Sequence, residues 1–279
     1  MTGRPPAPTS RMSSGHHIDN RSGRQAGLCV PLLRVAEFFG LFLVVPAVYA
    51  YALLDAHKNG HRTLPLIPVL IGVTLLCLAA LLCDRTFSRR RLWNAADLRR
   101  RLVPVLAVFL VAGAGLVAMV LFFQSGFLAS VLEKRPGLVH FVRALYPLAG
   151  RKLFLSLVRN HPVFWVILMA LYPLLSVYPQ ELIYRAFLFH RYRAIFPTPW
   201  VVIFASAAAF GFMHVVFWNV PAVVLSFFGG LLFAWTYQRT QSLLVAFIEH
   251  SLYGCLIFTI GLGSYFFPGT ISLVARMTG

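Results

Sequence analysis

The sequence is poor in acid. Eight Asp and Glu stand against 25 Lys and Arg in 279 residues, a formal net charge of +17. Charged residues of both signs make up only 12% of the chain, where soluble domains carry roughly 25%. With 59% hydrophobic residues and a mean hydropathy of +0.76, this scarcity excludes a soluble enzyme and requires an integral membrane protein. Lysine is nearly missing as well (Lys58, Lys134, Lys152), so the positive charge is almost all arginine. No soluble basic domain exists to carry it to a nucleic acid, and that partner is excluded. The four cysteines, Cys29, Cys77, Cys83 and Cys255, have no metal or redox spacing and read as small thiols in or beside apolar segments. No short apolar core with a small-residue cleavage site succeeds residues 1–30, so this Pro-, Ser- and Arg-rich stretch reads as a disordered basic tail and its His16-His17 pair as solvated.

The sequence is rich in apolar residues set in long, nearly unbroken runs. Such runs favour helices over the short alternating segments of a barrel. The expected fold class is all-α, a polytopic membrane bundle of seven to eight helices. Spans are expected near Val35–Leu54, Leu64–Cys83, Val103–Phe123, Pro162–Phe189, Trp200–Trp218, Ala222–Tyr237 and Leu243–Leu262. The fourth run is too long for one upright crossing, and Pro173 and Pro179 are expected to kink it. Gly113 and Gly115, and the stripe Ser226, Gly230, Ala234, are expected at close helix contacts. The chain divides into the tail 1–30, N-terminal membrane helices over 31–160, and a C-terminal core over 161–279.

Fourteen of the 25 basic residues lie in residues 1–101 and only five in 162–279. The loop 84–101 alone holds Arg85, Arg89, Arg90, Arg91, Arg99, Arg100 and Arg101, which places it and the N-terminus in the cytoplasm of a bacterial inner membrane, against anionic lipid headgroups. The connection 124–161 carries six basic residues on the other side. Its apolar positions Phe127, Leu128, Val131, Leu132, Phe141 and Leu145 fit an amphipathic interfacial helix or a partly re-entrant piece.

Beyond residue 161 only two acids remain, Glu181 and Glu249. A carboxylate in hydrocarbon costs about 2.5–3.5 kcal/mol even on the lenient insertion scale, so each needs a partner or a water-filled cavity. Glu181 and Arg185 are one helical turn apart on one face. His214 and His250 fall in the spans flanking the small-residue stripe. Phe210 lies one turn below His214, and Glu249, adjacent to His250, points about 100° away from it on a helix. As a set, Glu181, Arg185, His214 and His250 are candidates for a buried site, with Glu249 secondary.

Glu181-xxx-Arg185, Phe210-xxx-His214 and His250, in that order on successive apolar segments, resemble the CAAX protease and bacteriocin-processing family of intramembrane endopeptidases, which includes the type II CAAX prenyl endopeptidases. The resemblance covers about residues 160–262. Its motifs run Glu-Glu-xxx-Arg, Phe-xxx-His and His-xxx-Asn or Asp. Two positions depart: Gln180 stands where the first glutamate is expected, and Gly254 where the Asn or Asp is.

The resemblance implies hydrolysis of a peptide bond in a membrane-associated or prenylated-type protein. Water between Glu181 and His214 would attack the carbonyl, with His250 donating to the oxyanion and Arg185 orienting the carboxylate. No cofactor is expected; a zinc version would take Glu181, His214 and His250 as ligands, although no His-Glu-x-x-His motif is present. Two alternatives stay open: a catalytically inactive membrane scaffold or immunity-type protein, and a proton-coupled transporter using the same groups. The lack of an inverted internal repeat speaks against the last.

Overall fold

The structure, a computed structural model, describes residues 32–59, 65–96, 98–125 and 153–266, with residues 130, 131, 134 and 137 in between. The expected tail with its histidine pair, Cys29, and nearly all of the expected interfacial helix lie outside the described residues. Those described are helical, with no strand among them. Six helices are long and apolar enough to cross a membrane: α1 (Leu32–Ala56), α2 (Leu66–Cys83), α3 (Leu98–Phe123), α4 (Pro162–Arg191), α5 (Pro199–Phe217, its last turn tightened from His214) and α6 (Val220–Thr240). A seventh, α7 (Leu243–Thr259), is apolar and slightly shorter. The chain is therefore the expected polytopic bundle, each helix within a few residues of its expected span.

Helix starts are set by local chemistry. The Thr198 hydroxyl caps α5 by accepting from the Val201 amide at 3.4 Å, with Pro199 in the first turn. Asn219 and Ser242 do the same for α6 and α7, accepting from Ala222 at 2.9 Å and Val245 at 3.4 Å. α5 and α6 form the centre: 56% of the apolar window of α5 is buried, against 17% in each of α1, α2 and α3, which turn large apolar side chains outward. Glycine allows the central pair to meet. A Cβ at Gly211 would stand 2.9 Å from the Phe227 Cβ, and one at Gly230 3.0 Å from the Ala207 Cα. Gly113 lets α3 approach Leu256 of α7 in the same way, whereas Gly115, the other expected packing point, has nothing within 4 Å.

The two ends of the bundle are tied by different bonds. At one end, Arg191 closes a two-pronged ion pair on Glu37 (3.1 and 2.9 Å), the Tyr192 hydroxyl donates to the same carboxylate at 3.1 Å, and Arg34 reaches the Arg191 carbonyl. His190 meets Asp84 at 2.9 Å, and Ser242 donates to the Asn94 carbonyl at 2.8 Å. The hydroxyl and amide of Thr86, then His190, hold the Asp84 carboxyl well below the usual range. At the other end, the Trp218 indole donates to the Ala50 carbonyl at 3.0 Å and Asn219 donates to the Tyr265 carbonyl at 2.8 Å. The Phe154 amide there donates to Gln124 at 3.2 Å. The loop 84–101 lies at the first end.

α4 is not a uniform α-helix. It widens into π-helical turns at Pro173–Val177 and again at Leu182–Phe187, with Tyr178–Glu181 between them. Pro173 opens the first of these, having no N–H to give to an α-helical bond. A π-turn sets an extra residue into the helix and shifts the facing of the residues beyond it. The Tyr184 carbonyl in the second accepts the Ser206 hydroxyl of α5 at 2.8 Å.

Candidate active site

Between α4, α5 and α7 lies a buried polar cluster in an otherwise apolar core. Glu181 and Arg185 are both fully enclosed. Glu181 Oε2 is 3.2 Å from Arg185 Nε, and the guanidinium donates through Nη2 to the Gly230 carbonyl at 3.3 Å. Arg185 also lies over the rings of Phe210 (4.7 Å) and Phe233 (5.6 Å). Glu181 Oε1 is 2.9 Å from His250 Nδ1. The carboxylate thus bridges the arginine on its own helix and the histidine on α7.

His214 is held separately. Its Nδ1 is 2.8 Å from the Phe210 carbonyl, an acceptor only, so Nδ1 carries the proton and Nε2 is left with a lone pair. The position of the ring is set by the chain around it. His214 begins the tight turn that ends α5, Trp218 is in the left-handed region at φ 53°, and Asn219 donates to the Phe217 carbonyl at 3.0 Å. His250 stacks on Phe233 at 4.5 Å, and both imidazoles pack edge-on against Phe210, at 4.8 Å for His214 and 5.4 Å for His250. One phenyl ring therefore spaces the two histidines.

Both imidazoles line a cavity of about 1430 Å³. Its walls are mostly apolar, with Leu70, Leu116, Ile167, Leu171 and Phe258 among them. Gln180, Ser176 and Tyr172 line it from α4; Glu181 and Arg185 do not. Gln180 Nε2 donates to the Ser176 hydroxyl at 2.8 Å, and its Oε1 has no hydrogen-bond partner among the described residues. The structure thus brings together Glu181, Arg185, His214 and His250, with Gln180 at the cavity and Glu181 one layer behind His250. Glu249 is buried toward α6, where Thr236 hydrogen-bonds it and Oε2 has no partner among the described residues; it does not line the cavity.

As a zinc set, Glu181, His214 and His250 do not fit. One carboxylate oxygen is bonded to the very histidine that would be its co-ligand, and the other faces Arg185. Among the described residues no group of three or more His, Cys, Asp and Glu is arranged to hold a metal ion.

Tyr172 carries no sequence signal of its own. It shares the face of Ser176 and Gln180 at four-residue intervals and ends beside Gly254, one turn beyond His250. A Cβ on Gly254 would lie 2.5 Å from the Tyr172 hydroxyl and 2.7 Å from the ring carbon bearing it. The missing side chain at 254 is the space this tyrosine fills. Phe233, which stacks on His250, is equally unmarked in the sequence.

Residues 162–256 match the family model of the type II CAAX prenyl endopeptidase Rce1-like proteins. The matched segment runs from α4 into α7 and contains Glu181, Arg185, His214 and His250. It is consistent with the CAAX protease and bacteriocin-processing family that the motif order resembles. No curated protein and no solved structure matches the chain.

Proposed function

We propose that this Rce1-like membrane protein is an intramembrane endopeptidase in which two histidines activate water at the inner end of the cavity. The observation that carries this reading is the pair of imidazoles on one cavity wall, each bonded through Nδ1 and each left with Nε2 as its free nitrogen. Water bound between them gives a proton to His250 Nε2 as its oxygen forms a bond to the scissile carbonyl carbon, and the carbonyl electron pair moves to oxygen. Collapse of that intermediate breaks the C–N bond, and the leaving amine takes the proton back from His250. His250 is the better base because its imidazolium forms against Glu181, whereas His214 rests on a neutral carbonyl. Glu181 is a positioning residue that fixes the His250 tautomer, and Arg185 balances the charge of that carboxylate. His214 Nε2 accepts from the same water and aims it.

The oxyanion needs a donor at the wall. Both histidines present acceptors in their resting tautomers, and one N–H of the Gln180 amide is given to Ser176. The Tyr172 hydroxyl, beside Gly254, is assigned the role of principal donor, with the second N–H of Gln180 on the same wall. No step requires a metal. The substrate is the peptide bond of a membrane-associated or prenylated-type protein, and the arginines of loop 84–101 bind anionic headgroups at the cytoplasmic face of a bacterial inner membrane.

One observation favours a second reading, an inactive scaffold: of the neighbours Gln180 and Glu181, it is the amide and not the carboxylate that lines the cavity. A comparison of the membrane proteomes of wild-type cells and a His250→Ala strain separates them. Protein termini present with the wild type and lost with the variant support the protease; identical termini leave the scaffold.

A further inference from the structure

We infer that the turn beyond α7, Leu262–Phe266, belongs to the active site and that Asn219 and Phe266 are positioning residues for His214, an inference that rests on the proposed role of that histidine in aiming the water. Neither residue falls in the three motifs, and the family match ends at residue 256, before this turn begins.

His214 needs support from outside its own helix. It opens the tight turn His214–Phe217, where the regular bonding of α5 has stopped. Its Nδ1 bond goes to Phe210, one turn earlier in the same segment, and so follows any movement of that segment. Trp218 comes next at φ 53° and ψ 37°. A residue with a side chain keeps that left-handed conformation only where its surroundings hold it.

Asn219 supplies the hold. Its Oδ1 accepts from the Ala222 amide at 2.9 Å and starts α6. Capping requires no more than this, since Thr198 and Ser242 cap α5 and α7 with a hydroxyl alone. Nδ2 of Asn219 has a second task. One of its hydrogens goes to the carbonyl of Phe217, the last residue of the His214 turn, at 3.0 Å, and the other to the Tyr265 carbonyl at 2.8 Å. Two carbonyls on one side and an amide N–H on the other also fix which end of this side chain is nitrogen.

The turn that Asn219 reaches is itself anchored. Tyr265 is fully enclosed, and Gly261, at φ 95°, lets the chain leave α7 directly against the Leu153 carbonyl, where there is no room for a Cβ. Phe266 then lies with its ring 5.7 Å from the His214 imidazole, at 78° to it, and 6.0 Å from Phe217. Phe210 and Phe217 stand 4.8 and 5.9 Å from the same imidazole. His214 is thus set among three phenyl rings, two from its own segment and one brought by the turn. Phe266 and His214 both line the cavity, so this packing lies at the wall where Nε2 meets the water. A shift of the turn moves Phe217 and Phe266 together, and with them the direction of Nε2. Misplacement by about 1 Å, even from a change far from the chemistry, can cost about 10²-fold in rate.

Two variants of the full-length protein separate positioning from folding. Asn219→Ser keeps an oxygen to cap α6 and removes both Nδ2 bonds. Phe266→Leu keeps every hydrogen bond of the turn and removes the ring. Each is labelled with nitrogen-15 at histidine and reconstituted in lipid for magnetic resonance, with His214→Gln identifying the His214 signals. The wild type is expected to show His214 as a single tautomer protonated at Nδ1. In both variants that signal is expected to split or to average with the Nε2-protonated form, while thermal unfolding stays close to that of the wild type. With a fluorogenic farnesylated CAAX-type peptide, kcat is expected to fall about tenfold or more while KM stays within about twofold. An unchanged tautomer signal in either folded variant, or a wild-type kcat beside an altered signal, overturns the inference. Should Asn219→Ser fail to fold, Phe266→Leu decides alone. If the wild type cleaves nothing, the protease reading falls, and the tautomer signals still decide whether the turn holds His214.

Discussion

Glu181 lies 2.9 Å from His250 across two helices while turning its other oxygen to Arg185, so one carboxylate serves as partner to both a base and a cation. Neither Glu181 nor Arg185 reaches the cavity, yet the site is built on them. Replacing Glu181 with alanine leaves Arg185 enclosed without its ion pair, and a buried charge stripped of its partner costs about 3–5 kcal/mol. Glu181→Ala is expected to unfold at clearly lower temperature in detergent than the wild type, besides losing hydrolysis. Glu181→Gln, which keeps the shape and removes the charge, is expected to lower kcat by about a hundredfold or more through loss of imidazolium stabilisation. An unchanged kcat in Glu181→Gln would remove the carboxylate from the mechanism.

Tyr172→Phe deletes one hydroxyl from the wall. Loss of a single oxyanion donor typically lowers kcat by about 10²–10³. With a fluorogenic farnesylated CAAX-type peptide as probe, that fall is expected with KM within about twofold and thermal stability retained. Gly254→Ala, whose methyl displaces the same hydroxyl, is expected to reproduce it. A variant pair with wild-type kcat would show that Tyr172 only fills space.

Chelation separates the histidine mechanism from a zinc one. Activity is expected to persist after exhaustive treatment with a strong chelator, with no stoichiometric metal in the purified protein by elemental analysis. Activity lost to the chelator and restored by zinc would return the metal to the site.

At the arginine-bearing end of the bundle, Asp84 binds Thr86 and His190. Its carboxyl is depressed in the folded protein, so the stability it contributes is present above the ordinary carboxylate pKa of about 3.9 and is lost as pH falls through the depressed folded value. Asp84→Asn is expected to melt below the wild type at pH 7, with the two melting temperatures converging in strong acid. A gap that widens on acidification would contradict this sign.

Much of the fold and the site is legible in residue types. Hydropathy sets the seven spans within a few residues, because a span must hide its backbone in hydrocarbon wherever it falls. Isolated ionisable groups mark Glu181, Arg185, His214 and His250 for the same reason. Which of Gln180 and Glu181 faces the cavity is not legible, since the facing depends on wide turns at 173–177 and 182–187 that neighbouring helices help to set. Tyr172 and Phe233 look like ordinary aromatic residues of an apolar helix. Their importance lies in the residues opposite them, Gly254 and His250, which are distant in sequence.

The wide turn at Leu182–Phe187 makes α4 sensitive to length as well as composition. In a straight α-helix one residue turns the chain by about 100°, so deleting a residue swings the two flanking halves out of register. Here the surplus residue is already part of the helix, and its loss would let the segment relax into a regular coil that still spans the bilayer. A single in-frame codon deletion in this stretch would then leave the protein inserted and folded, with Gln180 and Glu181 re-aimed: a genetic lesion that changes which residue meets the cavity without changing the residue types present around it.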